Sequence, residues 1–600
     1  MSFVAWMTPS CAHSLDPRSL FQAEKTAVGG EVWQRVTAIV LTGKIIAGGV
    51  PCNFTDTIDH RNGHSRLVVD TGCLHDESGF DGAIWDKQNG IVTVADLPSL
   101  LADAETQAFA NRDGWWSRSD VSEMKLLAPQ MDAGSLTYGV EVIPAKGSPI
   151  DVWLDHKTHL IVRTIAHTDR GDQTTTYSDW RQVGGLCLPF RQVQTDATGA
   201  VTTLELSSAT VDQRLPANAL DRPAVEPHGL ITEDASTSIP FRLTGDGIGH
   251  IIVAAAVNQK PSTVLFDSGA ANYLVPDVAQ QFGLTTGGGL NIGGVGTGHT
   301  AGGFARVHEI SLGAAKLHDE VVIIGPLPYV ATHPRKGIVV DGLVGFEFLS
   351  EFRTTIDYAK RTITFTPFQD TTQLNGVRVP YASDGHNVYV KATVDAASGW
   401  FRVDTGDAGT LSVFRIFAHN HHLFQTGGRL RVSSGGVGGI LPTLEFRNET
   451  FTLAGTRFTN VPVSVSQTRA GAFASRSIAG NLGAGILSRF RITFDYRAHI
   501  LTFLPDPNVG APFRLDRTGL SLTQYDEREI TVLSVMAGSP AEKAGVLAGD
   551  AIVGVNNVSV SGQKLGVYDL DALRYGMKPF EVTIRRRGRT LTITIIPEEW

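Results

Sequence analysis

The chain has 600 residues and a formal net charge of −9. This length predicts several domains, and the 64 Gly and 27 Pro favour many strands and turns over long helices. No apolar run reaches the roughly 18 residues that a membrane span needs, and no basic stripe offers a surface for nucleic acid. The composition therefore excludes a helical membrane protein and a nucleic-acid-binding protein.

The first 22 residues are predicted to form a tail or the remnant of an export signal. Residues 3–7 are apolar and residues 10–12 are small, as at the end of a signal peptide, but no basic stretch precedes them. We expect a periplasmic or secreted protein whose signal peptide is absent or truncated in this sequence, and a cytoplasmic protein is the alternative. Disulfides and free thiols both remain open for the four cysteines, which are Cys11, Cys52, Cys73 and Cys187.

Residues 23–227 alternate apolar and polar side chains in several short runs, which predicts a β-rich domain built on a curved antiparallel sheet. Residues 79–85 and 153–163 resemble the outer-membrane lipoprotein carrier-like domains. That resemblance implies an open half-barrel able to hold acyl chains. In the alternative, the tryptophans are ordinary core aromatics; they are Trp85, Trp115, Trp116 and Trp153.

Two tripeptides of the form Asp-Ser/Thr-Gly follow apolar runs in the middle of the chain. They are Asp267-Ser268-Gly269 and Asp404-Thr405-Gly406. Two carboxylates that share one proton can activate a water molecule, because one accepts its proton while the other donates a hydrogen bond to a scissile carbonyl. The Gly lets the chain turn tightly and brings the loops close, and the hydroxyl between them can hydrogen-bond the backbone. The pattern predicts an aspartic-protease dyad of Asp267 and Asp404.

The segments downstream of the two tripeptides repeat each other. Residues 340–358 match residues 479–496, and a short strand-like run follows each of them. Residues 287–298 and 434–439 are Gly-rich in corresponding places and lack the Lys-Ser/Thr ending of a phosphate loop, so we interpret them as flaps. The region is an internal duplication.

From about Ser238 to Asp506 the chain resembles the retropepsin-like and pepsin-like aspartic proteases in a bacterial, single-chain, two-lobe form. The resemblance implies a first lobe at 238–370, a second at 371–508, a monomeric catalytic unit and no cofactor. An apolar-apolar-Gly element accompanies each tripeptide in that family, and residues 343–345 match it. The second half departs at two positions, with Asn481 in the apolar position and Asp407 after the tripeptide.

Two further features are interpreted as unrelated to catalysis. Asp70-Thr71-Gly72 repeats the tripeptide without a duplicated partner, and we interpret it as a coincidental turn. His419, His421 and His422 cluster without the ligand pattern of a metal site, so no metal is assigned.

Residues 513–600 resemble a bacterial PDZ domain, on the runs 519–522, 530–535 and 538–557. The resemblance implies capture of a C-terminal peptide by strand addition. The residues assigned to that loop are Gly519, Leu520, Ser521 and Leu522. In the alternative, the domain docks against the protease and binds nothing free. Residues 585–589 are predicted to form a hairpin turn.

The sequence therefore predicts a mainly β, multidomain aspartic endopeptidase that takes peptide or protein substrates. A catalytically degenerate binding or scaffold protein of the cell envelope is the alternative, and a homodimer with one active half per chain is disfavoured because both halves carry an Asp. We expect a chain ending near Pro505 to keep its peptidase activity. We also expect Asn at either Asp267 or Asp404 to abolish activity and to leave the melting temperature at or above that of the wild type.

Overall fold

The computed structural model describes residues 15–47, 50–70, 75–88, 91–212, 214–224, 229–231, 236–295, 298–370, 372–434, 436–469, 471–562 and 564–600. Within these ranges strands dominate and form five sheets. This confirms the mainly β, multidomain fold predicted from the sequence. Across the described ranges, no helix combines the length and the apolar character needed to cross a bilayer.

The N-terminal domain is one antiparallel sheet of 14 strands with two helices packed on it. The path through the sheet runs from β6 back to β1, then to β14 and down to β9 and β7, and β8 pairs with β9. Its elements are α1 (Pro17–Ala27), β1 (Ala38–Ala47), β2 (Val50–Asp59), β3 (Ser65–Asp70), β4 (His75–Phe80), β5 (Ile84–Gln88), β6 (Ile91–Ala95), α2 (Pro98–Asn111), β7 (Val121–Leu126), β8 (Gln130–Asp132), β9 (Ser135–Pro144), β10 (Ile150–Asp155), β11 (Ile161–Thr168), β12 (Gly171–Val183), β13 (Leu186–Thr195) and β14 (Val201–Val211).

Helix α1 extends this domain into the segment that the sequence assigned to a tail. Asp16 caps the helix by accepting from Ser19 N–H, and Phe21 stacks on Trp115 with ring centroids 5.7 Å apart. Residues 17–22 therefore belong to the folded domain, and residues 1–14 lie outside the described ranges. Trp85, Trp115 and Trp153 are buried, as the core-aromatic alternative expects.

The first lobe of the duplicated region contains a nine-stranded sheet and three short helices. The elements of this lobe are β15 (Gly229–Ile231), β16 (Thr237–Pro240), β17 (Arg242–Leu243), β18 (Ile251–Val257), β19 (Lys260–Phe266), β20 (Tyr273–Leu274), α3 (Pro276–Phe282), β21 (Gly287–Gly293), β22 (His299–Leu312), β23 (Ala315–Ile324), α4 (Tyr329–Thr332), β24 (Gly342–Val344), α5 (Phe346–Glu351), β25 (Arg353–Asp357) and β26 (Thr362–Thr366). Because β15 pairs with β23, the lobe begins before Ser238.

The second lobe contains an eight-stranded sheet and two short helices. The elements of this lobe are β27 (Val377–Pro380), β28 (Ala382–Ser383), β29 (Val388–Val394), β30 (Ala397–Val403), β31 (Leu411–Val413), α6 (Arg415–Asn420), β32 (Arg429–Ser434), β33 (Ile440–Leu453), β34 (Thr456–Ser466), β35 (Ile478–Leu482), α7 (Ala484–Leu487), β36 (Phe490–Asp495) and β37 (Ile500–Pro505).

The two lobes repeat one topology. The sheet of the first lobe runs β23-β20-β24-β19-β18, and that of the second runs β34-β31-β35-β30-β29. A six-stranded sheet of order β16-β26-β25-β36-β37-β27 takes three strands from each lobe. Thr355 and Thr493 lie opposite each other at its centre, with their hydroxyl oxygens 2.8 Å apart. The lobes therefore share one core and cannot be described as independent domains.

The Gly-rich segments form one hairpin in each lobe, β21–β22 and β32–β33. Their tips meet, because Gly298 N–H donates to Gly438 O at 3.0 Å and a Cβ at Gly294 would lie 2.1 Å from Val437 O. Residues 296, 297 and 435 of these hairpins lie outside the described ranges.

The C-terminal domain is a six-stranded sheet around its own apolar core. Its elements are β38 (Leu520–Gln524), β39 (Ile530–Val535), α8 (Pro540–Lys543), β40 (Ala551–Val555), β41 (Val558–Ser559), a 3-10 helix (Val567–Leu570), α9 (Asp571–Arg574), β42 (Phe580–Arg586) and β43 (Arg589–Ile595). Arg587 and Gly588 form the two-residue turn between β42 and β43, both with positive φ, as predicted for residues 585–589.

Candidate active site

The two Asp loops occupy equivalent places in the two lobes. Asp267 follows β19, which runs parallel to β24, and Asp404 follows β30, which runs parallel to β35. Asp267 N–H donates to Val344 O at 2.9 Å, and Asp404 N–H donates to Leu482 O at 3.1 Å. Each loop is thus held by the corresponding element of its own lobe, residues 343–345 in the first and residues 481–483 in the second.

The hydroxyl residues hold the loops to each other. Ser268 Oγ donates to Val403 O at 3.0 Å and accepts from Thr405 N–H at 3.1 Å. Thr405 Oγ1 donates to Phe266 O at 3.1 Å and accepts from Ser268 N–H at 2.9 Å. All four bonds cross between the lobes, so these hydroxyls fix one loop against the other and act on the carboxylates only indirectly.

The two glycines make room for the opposite carboxylates. A Cβ at Gly406 would lie 2.2 Å from Cγ of Asp267, and one at Gly269 would lie 2.8 Å from Oδ1 of Asp404. Neither Gly269 nor Gly406 has a positive φ. Close approach of the other lobe, and not the tight turn expected from the sequence, requires glycine at these positions.

The dyad carboxylates interact directly. Asp404 lies within hydrogen-bonding range of Asp267, and burial together with the charge of Asp404 raises the pKa of Asp267 to about 7. Two carboxylates in one site cannot both ionise easily, so one of them keeps a proton. Asp267 is therefore the protonated member below neutral pH.

Arg402 forms an ion pair with the second carboxylate. Its Nη2 lies 3.2 Å from Oδ2 of Asp404, and both side chains are 11% exposed. Burial disfavours the charged guanidinium, but Asp404, Tyr389, Asp384 and Asp267 together outweigh this and the pKa of Arg402 rises above its ordinary value. A permanently charged partner favours the ionised form of a carboxylate. The ion pair is thus a contact that distinguishes Asp404 from Asp267.

The two departures from the family pattern contact each other. Asn481 Nδ2 donates to Oδ2 of Asp407 at 2.7 Å, and Arg402 Nε donates to Oδ1 of Asn481 at 2.6 Å. Burial and the charge of Asp404 raise the pKa of Asp407. Asn481 is completely buried. Asp407, Asn481, Arg402 and Asp404 therefore form one polar chain, which we call the Arg402 network.

Sequence reasoning missed Arg402. The residue precedes Asp404 by two positions, and residues two apart along an extended strand face the same side. The equivalent position of the first lobe holds Leu265, which is buried. A charged residue at this position in only one of two repeated halves was the available signal.

The motifs interpreted as unrelated to catalysis lie away from the dyad. Asp70 ends β3 in the N-terminal sheet, and residues 71–74 lie outside the described ranges. His419, His421 and His422 are exposed at the end of α6. Among the described residues, no group of three or more His, Cys, Asp or Glu is arranged to hold a metal ion.

The residues assigned to peptide capture lie at the start of β38 and are covered. Asp516 accepts from Thr518 N–H at 2.9 Å and from Gly519 N–H at 3.1 Å. Arg431 of the second lobe donates to Leu520 O at 2.9 Å and to Asp516 at 2.6 Å. Ser521 and Leu522 are buried. Peptide binding by Gly519 to Leu522 stays a prediction, and in this conformation the second lobe lies over these residues.

Comparison with known families supports the resemblance to aspartic proteases and the resemblance to PDZ domains. Residues 253–348 match the family model described as aspartyl protease, and residues 531–586 match the model described as PDZ domain. The chain contains an aspartyl protease domain and a PDZ domain. The first match includes Asp267, and Asp404 lies beyond its end. These matches confirm the two main resemblances predicted from the sequence.

Several solved structures match parts of the chain at low identity and low TM-score. An aspartic proteinase from Irpex lacteus is 13% identical, with a TM-score of 0.31 over 46% of this chain and 99% of its own. A retropepsin-like aspartic protease from Rickettsia conorii is 19% identical, with a TM-score of 0.17 over 22% of this chain and 90% of its own. A LolA superfamily protein from Nitrosomonas europaea is 13% identical, with a TM-score of 0.27 over 35% of this chain and 99% of its own. No curated protein matches this chain.

Proposed function

We propose that this protein is an aspartic endopeptidase that hydrolyses peptide bonds with a water molecule activated by Asp267 and Asp404. The observation that carries the proposal is the crossing of the two loops, in which each glycine lies against the carboxylate of the other lobe. This crossing places two carboxylates in one buried site from positions separated by 137 residues. The aspartyl protease domain match supports the same class of reaction.

The charges of the site give each carboxylate a role. Arg402 pairs with Asp404, so we assign Asp404 as the base that accepts a proton from water. Asp267, whose pKa lies near 7, is the acid that donates its proton to the scissile carbonyl oxygen. The two roles differ because only one of the two Asp residues has an arginine beside it.

The reaction returns both groups to their starting states. The water oxygen bonds to the carbonyl carbon as Asp404 takes one water proton and Asp267 protonates the carbonyl oxygen, which gives a neutral diol. The C–N bond then breaks as Asp404 protonates the leaving nitrogen and Asp267 takes a proton from one hydroxyl. The products are a carboxylic acid and an amine, with Asp404 ionised and Asp267 protonated again.

A catalytically degenerate binding protein is the alternative, and one observation favours it. Arg402 neutralises the charge that the general base must carry, and a dyad paired in this way could bind peptides without cleaving them. The two functions differ in whether the wild-type chain turns over substrate.

Incubation with a peptide library from about pH 3 to 8 tests the proposal. We expect cleavage by the wild type and by Asp70→Asn, the matched control outside the site. We expect almost none by Asp267→Asn or Asp404→Asn, and a double variant hardly less active than either, because the two groups act as a unit. Peptide binding by the wild type without cleavage at any pH would establish the degenerate alternative. Normal hydrolysis by folded Asp404→Asn would overturn the two-lobe site.

Two finer proposals need their own measurements. Capture of C-terminal peptides at Gly519 to Leu522 requires the second lobe to move off β38, and titration of the full chain with labelled C-terminal peptides measures it. Location in the periplasm rests on residues 1–14, which lie outside the described ranges, and cell fractionation of the tagged chain tests it.

A further inference from the structure

The PDZ domain reaches the second catalytic loop through one pair of side chains. Tyr568 lies in the 3-10 helix of the PDZ domain, and its Oη is 3.3 Å from Nδ1 of His250 in the first lobe. The two rings meet edge to face, with centroids 5.6 Å apart. His250 in turn hydrogen-bonds to the backbone of Gly406, the glycine that lies against Asp267.

His250 is placed at the junction of both Asp loops. It comes directly before β18, whose Ile251 pairs with Phe266, the residue before Asp267. Burial lowers the pKa of His250 to about 4, so the imidazole is neutral above that pH. A neutral ring in this position can hold a backbone group by hydrogen bonding without adding a charge to the dyad.

The contact is part of an extended interface between the first lobe and the PDZ domain. Arg335 Nε donates to Asp569 at 3.1 Å, and Lys336 N–H donates to the same carboxylate at 2.9 Å. Tyr568 N–H donates to Pro334 O at 3.3 Å. Val330 of α4 packs against the apolar core of the PDZ domain. The segment 330–336 therefore holds the PDZ domain beside the active site.

We propose that Tyr568 and His250 are positioning residues for the second catalytic loop, so the PDZ domain is a structural part of the active site. The inference rests on the proposed peptidase function. It reverses the expectation from sequence that a chain ending near Pro505 stays active. Without Tyr568 the His250 ring loses one of the contacts that orient it, and the Gly406 backbone loses a fixed partner.

Kinetics of full-length Tyr568→Phe test the proposal, because this substitution keeps the ring and removes the hydroxyl. We expect kcat to fall about 10-fold with KM little changed, because a small misplacement of reacting groups slows the chemical step. Tyr568→Ala should lower kcat further. Tyr575→Phe is the matched control, since Tyr575 is a tyrosine of the same domain. Its ring packs against the Arg514 guanidinium, which lies 4.6 Å from the ring centroid. The Tyr575→Phe variant should match the wild type.

Hydrogen exchange provides a readout that does not depend on turnover. Amides of residues 404–409 should exchange several-fold faster in Tyr568→Ala than in the wild type, with the global melting temperature nearly unchanged. Unchanged kcat and unchanged exchange in the Tyr568 variants would overturn the inference. A wild type that cleaves no peptide, combined with faster exchange in Tyr568→Ala, would reject the peptidase function and keep the positioning role.

Discussion

Arg402 and Asp404 form a buried ion pair, with 3.2 Å between Nη2 and Oδ2, at the place where the first lobe has Leu265 beside Asp267. The two halves of the duplicated protease are therefore equivalent in topology and different in charge. This difference distinguishes the two carboxylates and leads to the following predictions.

Replacing Arg402 should shift the pH profile of hydrolysis. The positive charge of Arg402 opposes the rise in the pKa of Asp267, so Arg402→Met should move the alkaline limb of kcat/KM to higher pH. The rate near pH 5 should fall by roughly 10-fold or more, because Asp404 loses the group that favours its ionised form. Arg402→Lys keeps the charge and should leave the limb close to its wild-type position. An unshifted limb in a folded, active Arg402→Met protein would contradict the assigned role.

The two dyad variants should differ in stability. Asp267→Asn removes a carboxylate that is repelled by Asp404, so its melting temperature near pH 8 should equal or exceed that of the wild type. Asp404→Asn leaves the Arg402 guanidinium buried without its anion, which costs about 3–5 kcal/mol in similar pairs, so its melting temperature should fall. The sequence alone predicted no such loss for either variant. Thermal melting of both beside Asp70→Asn measures the difference, and equal melting temperatures would argue against an ion pair in solution.

The Arg402 network should behave as a coupled unit. Asn481→Leu restores the apolar residue of the first lobe but removes the partner of Asp407, so it should cost about 1–3 kcal/mol. In the background of Asp407→Ala the same substitution should cost less, with a coupling of about 0.5–3 kcal/mol. Denaturant unfolding of the two single variants and the double variant gives this value. Costs that add within about 0.3 kcal/mol would show that the two residues act independently.

Glu320 should make the stability of the first lobe depend on pH. Its carboxylate is fully buried on β23 and makes no hydrogen bond within the described structure. Burial, and then the charges of Glu347 and Glu351, raise the pKa of Glu320 from 4.5 to about 8. The folded state therefore binds an extra proton between these values, and stability falls as pH rises through them.

Urea unfolding at about pH 5 and pH 8 measures this dependence. Glu320→Gln should remove a slope of at most about 1.4 kcal/mol per pH unit. The control is Glu309→Gln on the neighbouring strand, where the carboxylate is paired with Lys316 at 2.8 Å. A Glu320→Gln protein with the wild-type slope would place the titrating group elsewhere.

Local sequence was sufficient for the fold and for the pairing of Asp267 with Asp404 in space, because the tripeptides, the repeated downstream segments and the PDZ runs are each short and continuous in the chain. The catalytic role of the two residues stays a prediction. The Arg402 network was not predicted, since Asn481 was interpreted only as a departure at an apolar position. The role of Asn481 depends on Arg402 and Asp407. These two residues lie far from Asn481 along the chain and contact it only when β30 and β35 pair. The contact of Tyr568 with His250 also depends on how separate domains dock. A local sequence pattern does not predict such docking.

The crossing of Ser268 and Thr405 also determines when the proposed active site can assemble. Ser268 is synthesised 137 residues before Thr405, and until Thr405 has been added Asp267 has no second carboxylate and its loop lacks the bonds to Val403 and Thr405. A nascent chain that ends before Thr405 therefore lacks the proposed dyad. Under the proposed function, hydrolysis begins only when the second half has been synthesised and has folded onto the first, so the duplicated architecture delays activity until most of the chain has been made.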